Sequence, residues 1–393
     1  MSRLWDKGLP LDERVLRYTA GEDHALDARL VPYDVRASIA HAEMLAAQGL
    51  IEAEDCRQIV DGLAELEAAF AKGEWQIELE DEDVHTALES RLTARIGSAG
   101  ERLHLGRSRN DQVLTALRLY LRDAGSDIAH RTGDLVAALA ALGERQGEVQ
   151  LPGYTHMQHA MPSSVALWAG GFREAFEDAI AGFEAADRRA ALNPLGSAAG
   201  YGTPLPLDRA RTTAELEFAA TQEPVTAAQL SRGRAESTLL FEITLLMQDL
   251  GRLASDLLLF YTQEFSYVAL PASHTTGSSI MPQKRNPDVP ELVRAASATA
   301  LACLNESLGI TAKLPSGYHR DLQRLKPPLF RGIDLCIETV DIMADLVGSL
   351  EFLPDNIRLD DGIYAAERAY DLVRSEGIPF REAYRRVAAR YTE

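Results

Sequence analysis

The chain has 393 residues, 46% of them hydrophobic and 25% charged, with a formal net charge of −19. Such a length can bury a substantial core without disulfides or metals, in one multi-segment protein or two to three domains. The acidic balance argues against a nucleic-acid binder, which needs surplus Lys and Arg for phosphates, but it leaves room for a local basic pocket that takes a small anion.

The three cysteines, Cys56, Cys303 and Cys336, are far apart and lack metal-ligand spacing. A sparse, odd set fits a reduced cytoplasm better than a disulfide scaffold. The start, Met1-Ser2-Arg3-Leu4-Trp5-Asp6-Lys7, has no signal-peptide apolar run, and no window of about 18 uncharged apolar residues occurs. The expectation is a cytoplasmic protein with no membrane span.

Residues 1–106 read as short helices and loops, with helical patterns at Ala37–Gln48, ended by Gly49, and Glu54–Lys72, ended by Gly73. The acidic run Glu78-Leu79-Glu80-Asp81-Glu82-Asp83 leads into Val84-His85-Thr86-Ala87-Leu88-Glu89; a run of this kind is usually a solvated face. From about residue 107 the pattern is persistently helical. Its clearest helix spans Gly233 to Glu264, with apolar Leu239, Ile243, Leu246, Leu250, Leu253, Leu257 and Phe260 forming a heptad seam. Leu240, Met247, Ala254 and Tyr261 widen that seam beyond a two-stranded coil, so a multi-helix bundle is expected. Two more long helices fit Ser163–Ala191 and Val289–Leu308, and a shorter amphipathic one fits Tyr364–Glu376, with Pro379-Phe380-Arg381-Glu382 opening another. The polar chemistry falls in loops between helices: Leu151–Pro162, Asn193–Pro206, Pro271–Pro287 and Leu314–Pro328.

Four constellations stand out. The first is Gly277-Ser278-Ser279-Ile280-Met281-Pro282-Gln283-Lys284-Arg285-Asn286-Pro287-Asp288, which could be a flexible surface loop. Lys284 and Asn286 also make a useful pair for holding a carboxylate, and a serine beside them serves as a base only if its alkoxide is strongly stabilised. The second, Gly153-Tyr154-Thr155-His156-Met157-Gln158-His159, offers a structural histidine or a proton carrier that Glu291 could orient. The third, Leu103-His104-Leu105-Gly106-Arg107-Ser108-Arg109-Asn110-Asp111-Gln112, is equally an anion cradle or a capped helix with surface arginines. The fourth, Tyr318-His319-Arg320-Asp321-Leu322-Gln323-Arg324-Leu325-Lys326, is by itself a polar loop. Gly196–Gly202 lacks the strand and the Gly-Lys-Ser/Thr of a nucleotide loop.

Together these segments resemble the fumarase/aspartase superfamily, whose signature Gly-Ser-Ser-x-Met-x-x-Lys-x-Asn stands at Gly277–Asn286. Gln283, Asn286-Pro287-Asp288, Asp83-Val84-His85-Thr86, Gly106–Gln112, Gly153–His156 and Asn193–Ser197 are similar to the argininosuccinate lyase family in particular. The resemblance implies an all-α, three-part fold, here divided at 1–106, 107–352 and 353–393, whose central helices associate into a tetrameric twenty-helix core. It implies a cofactor-free and metal-free elimination of fumarate from argininosuccinate to leave arginine, in active sites shared between subunits. By the same resemblance Ser278 is the base, His156 with Glu291 handles a proton, and Lys284 and Asn286 stabilise the aci-carboxylate. His85, Arg109, Asn110 and Thr155 match substrate-binding positions, and Tyr318, Gln323 and Lys326 match those holding the arginine-like and carboxylate ends.

The chain departs from the family at His319, Arg324 and Leu325, where two acids of the recognition loop are lost, and at Trp5-Asp6-Lys7-Gly8-Leu9 near the start. Asp23 lies nearest the family's early substrate-binding serine. With a shorter C-terminal end, the chain reads as a compact, divergent bacterial-type branch. The alternatives are a sibling lyase, such as adenylosuccinate lyase, fumarase or aspartase, or a non-catalytic crystallin-like structural protein.

Overall fold

The computed structural model describes residues 12–391. The segment with Trp5-Asp6-Lys7-Gly8-Leu9, on which one departure from the family and the leader expectation rest, lies outside the described residues. The chain is mostly helical. The principal helices are α1 (Glu13–Ala20), α2 (Val31–Ala47), α3 (Ala53–Ala71), α4 (Val84–Ile96), α5 (Arg109–Gln146), α6 (Val165–Ala190), α7 (Arg234–Tyr261), α8 (Asp288–Thr311), α9 (Lys326–Gly348), α10 (Ala365–Glu376) and α11 (Phe380–Ala388). No helix among the described residues is long and apolar enough to cross a membrane. Two compact units emerge from the contacts. One gathers the described residues up to Ile128, Gly182–Thr244 and Thr299–Leu335; the other gathers Ala129–Ala181, Leu245–Ala298 and the chain from Cys336 onward.

In the first unit α2 packs on α3 and α3 on α4. The helix starts follow local chemistry. Asp12 accepts the Arg14 N–H at 2.8 Å and Asp83 accepts the Thr86 N–H at 2.9 Å, each satisfying a first-turn donor. The heptad seam behaves as its spacing demands, since all seven seam residues of α7 are buried, none more than 6% exposed. Glycine lets a neighbour close on it: a Cβ at Gly332 of α9 would stand 2.6 Å from Leu240 of α7.

In the second unit Trp168 of α6 meets Phe260 of α7 and Phe352 at ring separations of 5.8 and 5.5 Å, while its indole N–H donates to Asp256 at 2.9 Å. Asp256, the residue before Leu257 of the seam, is therefore the hydrogen-bond partner of a core aromatic. Leu151–Pro162, expected as a loop, is instead most of an antiparallel hairpin, β1 (Gln150–Thr155) with β2 (Gln158–Ser164). The alternation that should mark strands is hidden there by glycine, prolines and polar residues. Helix α6 accordingly starts at Val165, two residues later than expected.

Candidate active site

The acidic run before α4 is not a solvated face at its end, because Asp81, Glu82 and Asp83 are buried. Their partners explain this. Arg109, at the first turn of α5, pairs with Asp83 and, at 3.5 Å, with Glu82. Arg320 reaches Glu82 at 3.7 Å. Burial alone would raise the Asp83 carboxyl; Arg109, His85, the Thr86 N–H and Lys326 outweigh it and hold it down at about 2.

His85 sits on α4 one turn inside this cluster and is almost wholly buried. Its Nδ1–H donates to Asp34 of α2 at 2.8 Å. Gln112 donates to both oxygens of the same carboxylate at 3.0 and 3.3 Å, and Ser38 bridges from it to the buried Arg107, whose guanidinium donates to the Ser38 hydroxyl at 2.8 Å. Burial opposes the charged imidazole, but Asp34, Asp83 and Asp27 outweigh it, so the His85 pKa is raised. The ring's other nitrogen, Nε2, is buried with no hydrogen-bond partner. An imidazole held by a carboxylate on one side with a free donor on the other can orient and bind an anionic or carbonyl oxygen.

Lys326 opens α9 and is buried. Its ammonium donates to Asp27 at 2.6 Å and to Asp23 at 3.0 Å. Burial works against that charge, yet the two aspartates raise the lysine's pKa. Asp23, by contrast, is pushed up to about 6 by burial, against the pull of Lys326. Asp27 also accepts the Val84 N–H at 3.3 Å, which ties this pair to the start of α4. Gln323 donates to the Thr19 and Ala20 carbonyls at 2.9 and 3.0 Å, covering the open C-terminal end of α1. Tyr318 lies under the Arg232 guanidinium, 5.9 Å from its ring centroid. Asn110 is half-buried, its amide 3.5 Å from the Ala199 carbonyl. The Gly196–Gly202 loop does hold an anion, but an internal one: the N–H groups of Gly196 and Ala198 donate to Asp111 at 2.9 and 2.7 Å.

The first unit thus carries His85, Arg109, Asn110, Tyr318, Gln323 and Lys326, and the second carries Thr155, His156, Ser278, Lys284, Asn286 and Glu291. In the second unit the hairpin pairs Thr155 with Gln158, leaving a two-residue tip of His156 and Met157 with φ of 54° and 60°. Two successive positive φ values suit a hairpin turn and normally call for Asn or Gly. A histidine and a methionine there are strained positions that present His156 outward, and strain of this kind gathers at functional sites. The carboxylate–histidine pair of this hairpin is His159–Asp360 at 2.6 Å, with the Tyr154 hydroxyl on the other His159 nitrogen at 3.0 Å. No hydrogen bond joins His156 to the exposed Glu291 of α8 within the chain.

The Ser278 loop is closed at its neck. Thr276 and Asn286 exchange backbone hydrogen bonds at 3.1 and 2.8 Å, and the Asn286 amide donates to the Gly277 carbonyl at 3.2 Å. Inside it the Ser278 hydroxyl oxygen accepts the N–H groups of Ile280 and Met281 at 3.4 and 3.2 Å. Lys284 is exposed on the same loop, its N–H turned back to the Met281 carbonyl at 3.0 Å. Among the described residues no group of three or more His, Cys, Asp or Glu side chains is placed to hold a metal ion.

Sequence reasoning missed Asp34, Ser38 and Asp27. A signal was present: Asp34, Ser38 and His41 recur at steps of four and three, a polar stripe on an otherwise apolar, buried helix.

Comparison with known proteins follows this geometry. The lyase family matches the chain over residues 13–301. A protein of Sorangium cellulosum named argininosuccinate lyase is 47% identical over 391 residues, covering 98% of this chain and 90% of the relative. One of Thermotoga neapolitana with the same name is 39% identical, covering 99% and 98%. Among solved structures, an EDDS lyase in complex with formate matches with a TM-score of 0.81 at 27% identity, over 97% of this chain and 76% of that one. A class II fumarase from Schistosoma mansoni, 19% identical, shares the fold with a TM-score of 0.80 over 98% and 91%.

Proposed function

We propose, from the premise that this chain belongs to the argininosuccinate lyase family, that it splits argininosuccinate into arginine and fumarate by elimination. One observation carries the assignment of the base: two backbone N–H groups converge on the Ser278 oxygen. A serine is a poor base because its alkoxide is costly, and fixed donors aimed at the oxygen lower that cost. Ser278 takes the proton from the carbon next to a carboxylate. Lys284 and Asn286 meet the negative charge that builds on the carboxylate, each such donor being worth roughly 3–4 kcal/mol in the transition state. His156, presented at the strained hairpin tip, handles the second proton as the guanidinium nitrogen leaves, and Glu291 orients it in the assembled protein. His85, Arg109, Asn110, Thr155, Tyr318, Gln323 and Lys326 hold the substrate, with Lys326 acting through the aspartates that grip it.

The reading includes a homotetramer with active sites built from segments of different subunits, working in the cytoplasm, and the three-part division at residues 106 and 352. The exposed apolar side chains Leu245 on α7 and Leu292 and Leu301 on α8 support an assembly, since faces of this kind are usually covered.

The test is fumarate absorbance after addition of argininosuccinate, with sedimentation to give the assembly. Fumarate release supports the reading; release from adenylosuccinate alone would redirect it to a sibling lyase. Ser278→Ala should lower turnover by roughly 10²–10⁴ with an unchanged melting temperature, and near-normal turnover would remove Ser278 as base.

A further inference from the structure

A cavity of about 630 Å³ opens in the first unit at the start of α7, and none of the residues assigned to the elimination lines it. One side is cationic, with Arg189, Arg232 and Arg234; the other is apolar, with Leu230, Phe241 and Leu308, all three partly exposed. Two of its polar side chains are buried with polar atoms that have no hydrogen-bond partner. Gln229 is 2% exposed and neither of its amide atoms has a hydrogen-bond partner; Arg232 is 6% exposed and its Nε and Nη1 have none. The nearest acid to Arg232 is Glu236, at 3.9 Å from Nε, beyond hydrogen-bond distance, and the Glu236 Oε1 is itself unpartnered. Glu242 is the one carboxylate in the lining.

Buried guanidinium and amide groups ordinarily find partners, because leaving them dry and unpaired is costly. Gln229 lies in the short helical stretch Thr226–Leu230 and Arg232 two residues before Arg234, which opens a 28-residue helix whose unpaired N–H groups and dipole favour negative charge. Three arginines, an amide and a helix N-terminus facing an apolar wall make a complement to one chemistry, a carboxylate on a compact apolar body. We propose that this cavity is a second binding site, for a small organic carboxylate, with Arg232 and Gln229 as its buried ligands and Arg234 at its mouth. The site stands whether or not the elimination reading does.

Titration calorimetry on the assembled protein tests it, with benzoate as probe and benzamide as its uncharged counterpart, in saturating fumarate and arginine to fill the elimination site. Benzoate should bind saturably, about tenfold or more tighter than benzamide, which matches the worth of one charge-assisted hydrogen bond. Arg232→Gln should weaken benzoate about tenfold. Arg234→Gln, at an exposed position that leaves the fold undisturbed, should weaken it about threefold. Absence of benzoate binding under these conditions overturns the proposal, as do equal affinity for benzamide and unchanged affinity in both variants.

Discussion

Lowering the pH should destabilise this protein through His41, by an amount that can be worked out from its surroundings. His41 lies on α2, fully buried, with its Nε2–H donated to the Leu105 carbonyl at 2.8 Å and its Nδ1 unpartnered. Burial, and next the Arg107 charge, push its pKa down to about 3, against 6.5 for a free histidine. A base whose folded pKa is depressed contributes stability that is present above 6.5 and lost as the pH falls toward 3, because the unfolded chain takes up the proton first. Between pH 7.5 and pH 5 the loss is about 2 kcal/mol, at 1.36 kcal/mol for each unit the unfolded group titrates. Asp23 and Asp111 act in the opposite sense, since burial raises both carboxyls to about 6 and their contribution grows as the pH falls from 6 toward 4. Comparison with His41→Gln, which keeps a donor for Leu105 and does not titrate, removes their effect because both proteins carry them. Urea unfolding of the two proteins at pH 7.5, 6.5, 5.5 and 5 should show the wild-type advantage shrinking by about 2 kcal/mol. A pH-independent difference would show that His41 is not held neutral and would refute the argument.

Lys326→Met should destabilise by roughly 3–5 kcal/mol, since it leaves Asp23 and Asp27 buried without their cation; a melting temperature within a degree of wild type would contradict the pairing. Leu250→Ala, at a seam position with no exposure, should cost about 2–5 kcal/mol in urea unfolding, whereas Leu167→Ala, 68% exposed, tests whether an apolar face is covered: loss of the assembly in sedimentation is the expected result. Asp34→Asn removes the charge that sustains the His85 imidazolium, so the His85 ring should titrate lower by nuclear magnetic resonance. An unmoved titration would mean that other carboxylates hold it.

Much of this protein is legible in its residues alone. The helical class and the core face of α7 follow from apolar steps of four and three, because a helix turns every 3.6 residues and the seam must leave water wherever the chain packs. The Gly277–Asn286 pattern was legible as a family signature, and the reaction class came with that resemblance and not from the spacing of its serine, lysine and asparagine. The hairpin at Gln150–Ser164 was not legible, since its strands lack alternation and are defined by pairing with each other. Nor was the fate of the charged residues. Sequence leaves Lys326, Arg107 and Asp83 as charges that water would satisfy. Only the tertiary structure decides that they are dry and that partners about 25–300 positions away hold them, because burial and Coulomb pairing depend on separation in space and not along the chain.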